Sequence, residues 1–259
     1  MKIVVCVKQV PDTWAEKKLN PTDSTLDRAS VDAVVNELDE YAIEEALQIA
    51  EANGGEVVVL SMGPDRTTES IRKALSMGAA RGVLVTDDAL HGSCAVGTSK
   101  ALAKAIEAEA PDLVVFGSES TDARMSVVPA MVAERLGYPQ LTFANKVQVA
   151  AGNVTIHRQT ESGYDIVEGA TPAVVSVVEK INEPRYPNFK GIMAAKKKKI
   201  DTMSVADLGL AGSDVGAAGA TSSVVAFADA PPRAAGVVVT DAGDGGVKIA
   251  DFLSAQKFI

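Results

Sequence analysis

Aromatic residues make up only 4% of this 259-residue chain, and among them is a single tryptophan. Its core must therefore be assembled from Val, Ala, Leu and Ile. Histidine occurs only at His91 and His157, too few for a histidine-rich metal site and poor material for a Ser-His-Asp arrangement. Cys6 and Cys94, the only cysteines, lie far apart without metal-ligand spacing, and free thiols are expected. A signal-peptide core and a membrane span are missing too. The opening MKIVVCVKQV holds an apolar stretch of about six residues, and a soluble chain of a bacterial cytoplasm is the expectation. Basic excess is absent: the formal net charge is -9, which argues against a nucleic-acid partner. No GxGxxG follows the first apolar run, and neither GxxxxGK[ST] nor GxSxG occurs. These gaps weigh against nicotinamide-dinucleotide, P-loop and hydrolase chemistry. They leave a nucleotide-binding or carrier role.

What is present is rhythm. Hydrophobic residues form 47% of the chain, enough for one large domain or one domain with a substantial extension. Short β-branched runs at Ile3–Val7, Glu56–Leu60, Gly82–Val85 and Asp112–Phe116 alternate with helical patterns at Asp39–Ala52, Arg66–Met77 and Ser93–Ala110. Continuous apolar strands are buried on both faces, as in parallel sheets. The pattern predicts an α/β fold with an open, mostly parallel, Rossmann-like sheet of the adenine-nucleotide-binding kind. After Gln140 the rhythm changes. Alternating runs broken at Gly152-Asn153 and Glu161-Ser162-Gly163 predict added antiparallel hairpin strands, and Val174–Val178 another buried strand. Past Lys199 a Gly, Ala, Ser and Asp-rich stretch cannot bury a core of its own, and an extended C-terminal arm is expected, anchored by a helix over Val247–Gln256. We place the α/β domain at residues 1–195, including a loop at 182–195, and the arm at 196–259.

Ligands of such sheets sit beyond the C-terminal strand ends. The segments there are Cys6–Val10, Asn36–Asp39, Ser61–Pro64 and Gly117–Arg124. Asn36 stands where it can cap a helix or hold a ribose hydroxyl. Gly63-Pro64 makes a tight turn before a helix N-terminus, which suits an anion. GSESTDARMS offers hydroxyls and backbone amides. Loop-and-cap chemistry accounts for any one of these alone. The carboxylates Asp39, Glu40, Glu44 and Glu45 read as a solvated acidic helix face rather than an acid-base pair.

Taken together, VKQVPD, VNELDEYAIEEAL, SMGPDRTTESIRKALSMGA and NEPRYPNFKGIMAAKKKKI resemble the β subunit of electron-transfer flavoprotein, along nearly the whole chain. The resemblance implies a heterodimer with an α subunit that holds FAD between the chains. It also implies electron flow from acyl-CoA or related dehydrogenases, as in fatty acid oxidation, to a membrane quinone oxidoreductase. The β subunit is a carrier and not itself an enzyme. A structural AMP is implied, with a pocket drawn from Cys6 through its backbone, Asn36, Glu37, Leu38, Asp39, Met62, and the loop and helix from Asp122, Ala123, Arg124, Met125, Ser126, Val127 and Val128 to Ala133. Thr13 and Leu38 align with positions that approach the flavin ring. The loop carries the partner-recognition positions Pro184, Arg185, Tyr186, Phe189, Ile192 and Met193, with Phe189 as the anchor for a dehydrogenase.

The chain departs from the family pattern where many relatives place a Thr-Gly element for the AMP phosphate. Here Val127-Val128-Pro129 offers fewer free amides, since proline has no N–H, and this leaves retention of AMP open. TDARMSVVP also lacks the Asp-Gly-Asp-Thr-type signature of electron-bifurcating relatives, which points to the simple one-flavin type. Two other readings stand beside this one. A free-standing adenine-nucleotide module of the stress-protein kind shares the architecture but needs neither the loop nor the arm. Nucleic-acid binding rests on the single run Lys196–Lys199.

Overall fold

The computed structural model describes residues 1–259 apart from positions 234 and 237. Its elements are β1 (Lys2–Cys6), β2 (Gln9–Pro11), β3 (Ala33–Val35), α1 (Glu37–Asn53), β4 (Glu56–Met62), α2 (Thr68–Met77), β5 (Arg81–Val85), α3 (Ala95–Glu109) and β6 (Leu113–Gly117). There follow α4 (Val128–Leu136), β7 (Gln140–Ala150), β8 (Asn153–Thr160), β9 (Gly163–Ala170), β10 (Ala173–Val177), α5 (Phe189–Ala195), β11 (Ile200–Met203) and α6 (Gly245–Ala255). Nine strands form one sheet in the order β11-β5-β4-β1-β6-β10-β7-β8-β9.

From β11 to β7 neighbouring strands run parallel. Beyond that, β7, β8 and β9 pair antiparallel through tight turns, as the alternation after Gln140 predicts. The α/β class and the mixed sheet are thus as expected. The central strands are sealed on both faces. Ile3, Val5, Val57, Val59, Val115 and Val175 pack into one cluster with α1 and α2, while Val4, Val58, Leu60, Val114 and Val174 pack into the other with α3 and α4. That two-sided burial is why these strands read as unbroken Val and Ile runs.

Four elements escape the sequence reading. The strands β2 and β3 form a separate antiparallel ribbon. The segment expected as a loop contains α5, whose first turn is capped by Asn188 Oδ1 accepting from the Gly191 N–H at 2.8 Å. Strand β11 extends the sheet at β5, with Ile200 opposite Gly82. Downstream of it Val205, Leu208 and Val215 are buried in the second cluster. The first compact unit consequently runs from Met1 to Ser223. The compact unit thus extends past the expected boundary at 195/196, because β11 gains a strand partner and three apolar side chains find a core.

The second unit, Val224–Ile259, buries no hydrophobic core among its described residues. Its helix α6 buries no residue, and Val225, Phe227, Val239, Ile249, Phe252 and Phe258 are all exposed.

The lysine run is not a patch of four cations. Lys198 turns inward and its Nζ donates to the carbonyls of Leu75 at 3.0 Å and Ala79 at 2.5 Å, satisfying the C-terminal end of α2. Lys199 pairs with Asp201 at 2.5 Å, and only Lys196 and Lys197 face outward without an ion pair among the described residues.

Candidate functional site

Strand order reverses at β1: the chain leaves it for β4 on one side and reaches β6 on the other. The crevice beyond the C-terminal ends of β1 and β6 is where open α/β sheets bind ligands. Three pieces of chain meet there, namely the residues after β1, the start of α1, and the loop from Ser118 to Val127.

Asn36 precedes α1, yet its side chain caps nothing in that helix. Its Nδ2 donates to the Glu119 carbonyl at 2.8 Å, and its Oδ1 accepts from the Thr121 N–H at 2.9 Å. Both ends of the amide are used, so Asn36 staples the 118–127 loop to α1. The cap role open to it in the sequence is replaced by this staple. Asp39, also buried, accepts the Lys8 N–H at 2.7 Å and lies against Gly117. Burial pushes its carboxyl up to about 7, against the pull of hydrogen bonds from Asn36, Lys8 and Gly117. Burial, together with the Asp39 charge, also raises the Cys6 thiol well above its ordinary value, leaving it inert.

The linkage has a sign. The ordinary carboxyl value is 3.8, so between about pH 4 and 7 the folded chain holds a proton that the unfolded chain has released. Stability should fall as pH rises through this window, by up to about 1.4 kcal/mol per unit, and level off above 7. Denaturation midpoints between pH 5 and 8 test this. A slope equal in wild type and Asp39→Asn would overturn it.

The loop itself is built around a buried charge. Asp122 meets Lys8 Nζ at 2.8 Å and Arg28 at 2.6 Å, and Lys8 Nζ also reaches Ser120 Oγ at 3.2 Å. Burial acts to raise the Asp122 carboxyl, but the two cations outweigh it and hold it at about 2. Further along, Arg124 and Ser126 take left-handed backbone conformations (φ 48° and 56°), and Ser126 donates to Glu119 Oε2 at 3.0 Å. Val127 returns to the right-handed region just before α4. Successive residues of opposite hand turn their N–H groups toward one side, at a helix end whose first amides have no intrahelical partner. Within this loop the Thr121 hydroxyl is buried without a hydrogen-bond partner.

The structure therefore brings together Cys6, Asn36, Glu37, Leu38, Asp39 and the 122–128 loop, with Met62 at the end of neighbouring β4. Thr13 joins them through its hydroxyl, which donates to Glu37 Oε1 at 3.0 Å. The sequence reading missed Arg28 and the charge role of Lys8, which no local signal marks. The positions expected to recognise a partner lie elsewhere. Arg185 bonds to Glu44 and Glu51, about two and four turns down α1, roughly 12 to 22 Å from Asn36 at 1.5 Å per residue. Tyr186 is 96% exposed and Phe189 79%, with Ile192 and Met193 beside them. Both cysteines are free, and no group of metal-ligating side chains is found among the described residues.

With this geometry in view, comparison with known proteins is decisive. Residues 23–208 match the family described as electron transfer flavoprotein domain. The chain is 52% identical over 263 aligned positions to the electron transfer flavoprotein subunit beta of Mycobacterium bovis, covering 99% of both chains. The chain belongs to the β-subunit branch of the electron transfer flavoprotein family. The subunit beta of Mycobacterium leprae is 51% identical over 99% of each chain. That of Thermoanaerobacterium thermosaccharolyticum is 38% identical over 93% of this chain and 92% of its own. The electron-carrier role belongs to the family.

Proposed function

We propose that this chain pairs with an electron-transfer flavoprotein α subunit, that FAD lies between the two, and that the complex moves electrons from acyl-CoA-type dehydrogenases to a membrane quinone oxidoreductase from the cytoplasm. The observation that carries the heterodimer is the second unit. Its apolar side chains, Phe227, Phe252 and Phe258 among them, have no core to enter, and such a segment requires a partner to cover it. No described helix is long and apolar enough to cross a membrane.

The switch-point crevice fits a mononucleotide. The unpartnered Thr121 hydroxyl, the Ser126–Val128 amides and the Lys8 and Arg28 cations can meet hydroxyl and phosphate oxygens, while Asn36 and Asp39 hold the walls in place. AMP would be a structural occupant here, with no chemistry to perform. Flavin, when bound, supplies the electron acceptance and release; Thr13, Leu38 and Glu37 would flank it and limit water access.

Co-expression with an α subunit tests the reading. A yellow complex with about one flavin per heterodimer, releasing AMP on denaturation, is expected. A colourless monomer that binds adenine nucleotides unaided would replace it with the free-standing nucleotide module.

A further inference from the structure

The recognition segment is bolted to the domain at both ends. At its entry, Asn182 Nδ2 donates to the Tyr41 carbonyl at 3.1 Å and to Glu45 Oε2 at 3.0 Å. Arg185 then forms a double fork. Its Nε donates to Glu44 Oε2 at 2.7 Å and one terminal nitrogen to Glu44 Oε1 at 3.0 Å. The terminal nitrogens also reach Glu51 Oε1 at 2.6 Å and Oε2 at 3.1 Å. The Arg185 N–H adds a further bond to Glu44 at 3.1 Å, and Gln48 steadies Glu44 from within α1 at 2.8 Å. At the exit, Arg72 donates to the carbonyls of Ala195 at 2.6 Å and Lys198 at 2.5 Å.

Between these fixings the apolar residues point outward. Left to the hydrophobic effect, Tyr186 and Phe189 would fold back onto the domain surface. Pro184 and Pro187 restrict the backbone, but they do not set its direction relative to α1. The planar fork of Arg185 does, because it engages two carboxylates about two turns apart on one face of α1 and tolerates little rotation. Four of its five N–H donors are occupied by the chain's own carboxylates, so little of the guanidinium remains for a partner.

We infer that Arg185 is a positioning residue: through Glu44 and Glu51 it fixes the angle at which Tyr186 and Phe189 are presented to the electron-donating protein, without touching that protein itself. This rests on the proposed docking role of the segment. Lys190, Lys196 and Lys197 are exposed around the apolar group, which describes the complementary surface as an apolar groove with an acidic rim.

The test is a double-mutant cycle in the purified α–β complex, measuring KM and kcat for reduction by an acyl-CoA dehydrogenase. Arg185→Gln should raise KM on the order of tenfold with little change in kcat or flavin content, and Arg185→Lys should fall between it and wild type. In the Phe189→Ala background, Arg185→Gln should add almost nothing, because a misdirected anchor and a missing anchor lose the same contact. Additive effects, or an unchanged KM in Arg185→Gln alone, would refute the positioning role. If Phe189→Ala itself leaves KM unchanged, the docking reading falls and this inference with it. Should Arg185→Gln fail to fold, Glu51→Gln keeps the Glu44 pair and loosens only the exposed half of the fork. It should then show a smaller KM increase that is again absent in the Phe189→Ala background, and no increase would count against the proposal.

Discussion

Replacing Gly117 by alanine should destabilise the protein by about 1–3 kcal/mol and release the AMP proposed for the switch-point crevice. Gly117 ends β6 at the point where α1 crosses it. A Cβ there would stand 2.5 Å from Asp39 Oδ1, 2.8 Å from the Leu38 carbonyl carbon and 2.9 Å from its oxygen. Two of those three atoms are backbone and cannot rotate away. Moving them moves the first turn of α1, and with it Asn36, whose amide holds the 118–127 loop, and Asp39, which holds Lys8. The strain is therefore delivered directly to the site. Gly212→Ala is a suitable control, since a Cβ there would meet only the Ala89 methyl at 3.9 Å, an ordinary contact. Denaturation midpoints and AMP content of the purified complex should separate the two variants. Equal stability and full nucleotide in Gly117→Ala would show that α1 is not seated as tightly as these distances require.

The same crossing explains what the sequence could reveal. Strands buried on both faces need apolar residues at every position, so β1, β4, β5, β6 and β10 announce themselves to within a residue or two. Helices α1 and α3 are long enough for periodicity to show. In contrast, α5 is only about two turns long, with Pro187 just before it and Gly191 inside it, where local signals favour a loop. Strand β11 has four residues, and only its pairing with β5 makes it a strand. The site divides in the same way. Asn36, Asp39 and the 122–128 loop lie at strand ends that the topology rule identifies in advance. Arg28 reaches Asp122 across 94 positions of sequence, and nothing near Arg28 hints at it. Arg185 and Lys198 show the converse. Their charge suggested contact with a partner or solvent, whereas the structure turns both toward their own helices, α1 and α2.

Phe189→Ala should lower kcat/KM for electron uptake from the dehydrogenase about 30-fold while leaving flavin content and melting temperature as in wild type. On α5, Phe189, Ile192 and Met193 occupy positions i, i+3 and i+4 and so share one face. A surface helix ordinarily turns such a stripe toward the core. Here it cannot, because the opposite side is fitted to α2: a Cβ on Gly191 would stand 2.5 Å from the Ser76 carbonyl oxygen, and Ala195 is the one buried residue. The close approach of α5 to α2 thus bars the stripe from the core, while the Arg185 fork sets the angle at which it is presented. Since Phe189 makes little contact within its own chain, its removal costs the fold almost nothing. Burial of a phenylalanine side chain in a partner groove contributes about 2 kcal/mol, and each 1.4 kcal/mol is tenfold in affinity. The loss should thus appear in the encounter with the donor and in no property of the isolated complex. A variant reduced as fast as wild type at low donor concentration would mean that the exposed stripe on α5 serves some other surface. A variant that also melts earlier would mean that Phe189 packs on its own domain in solution.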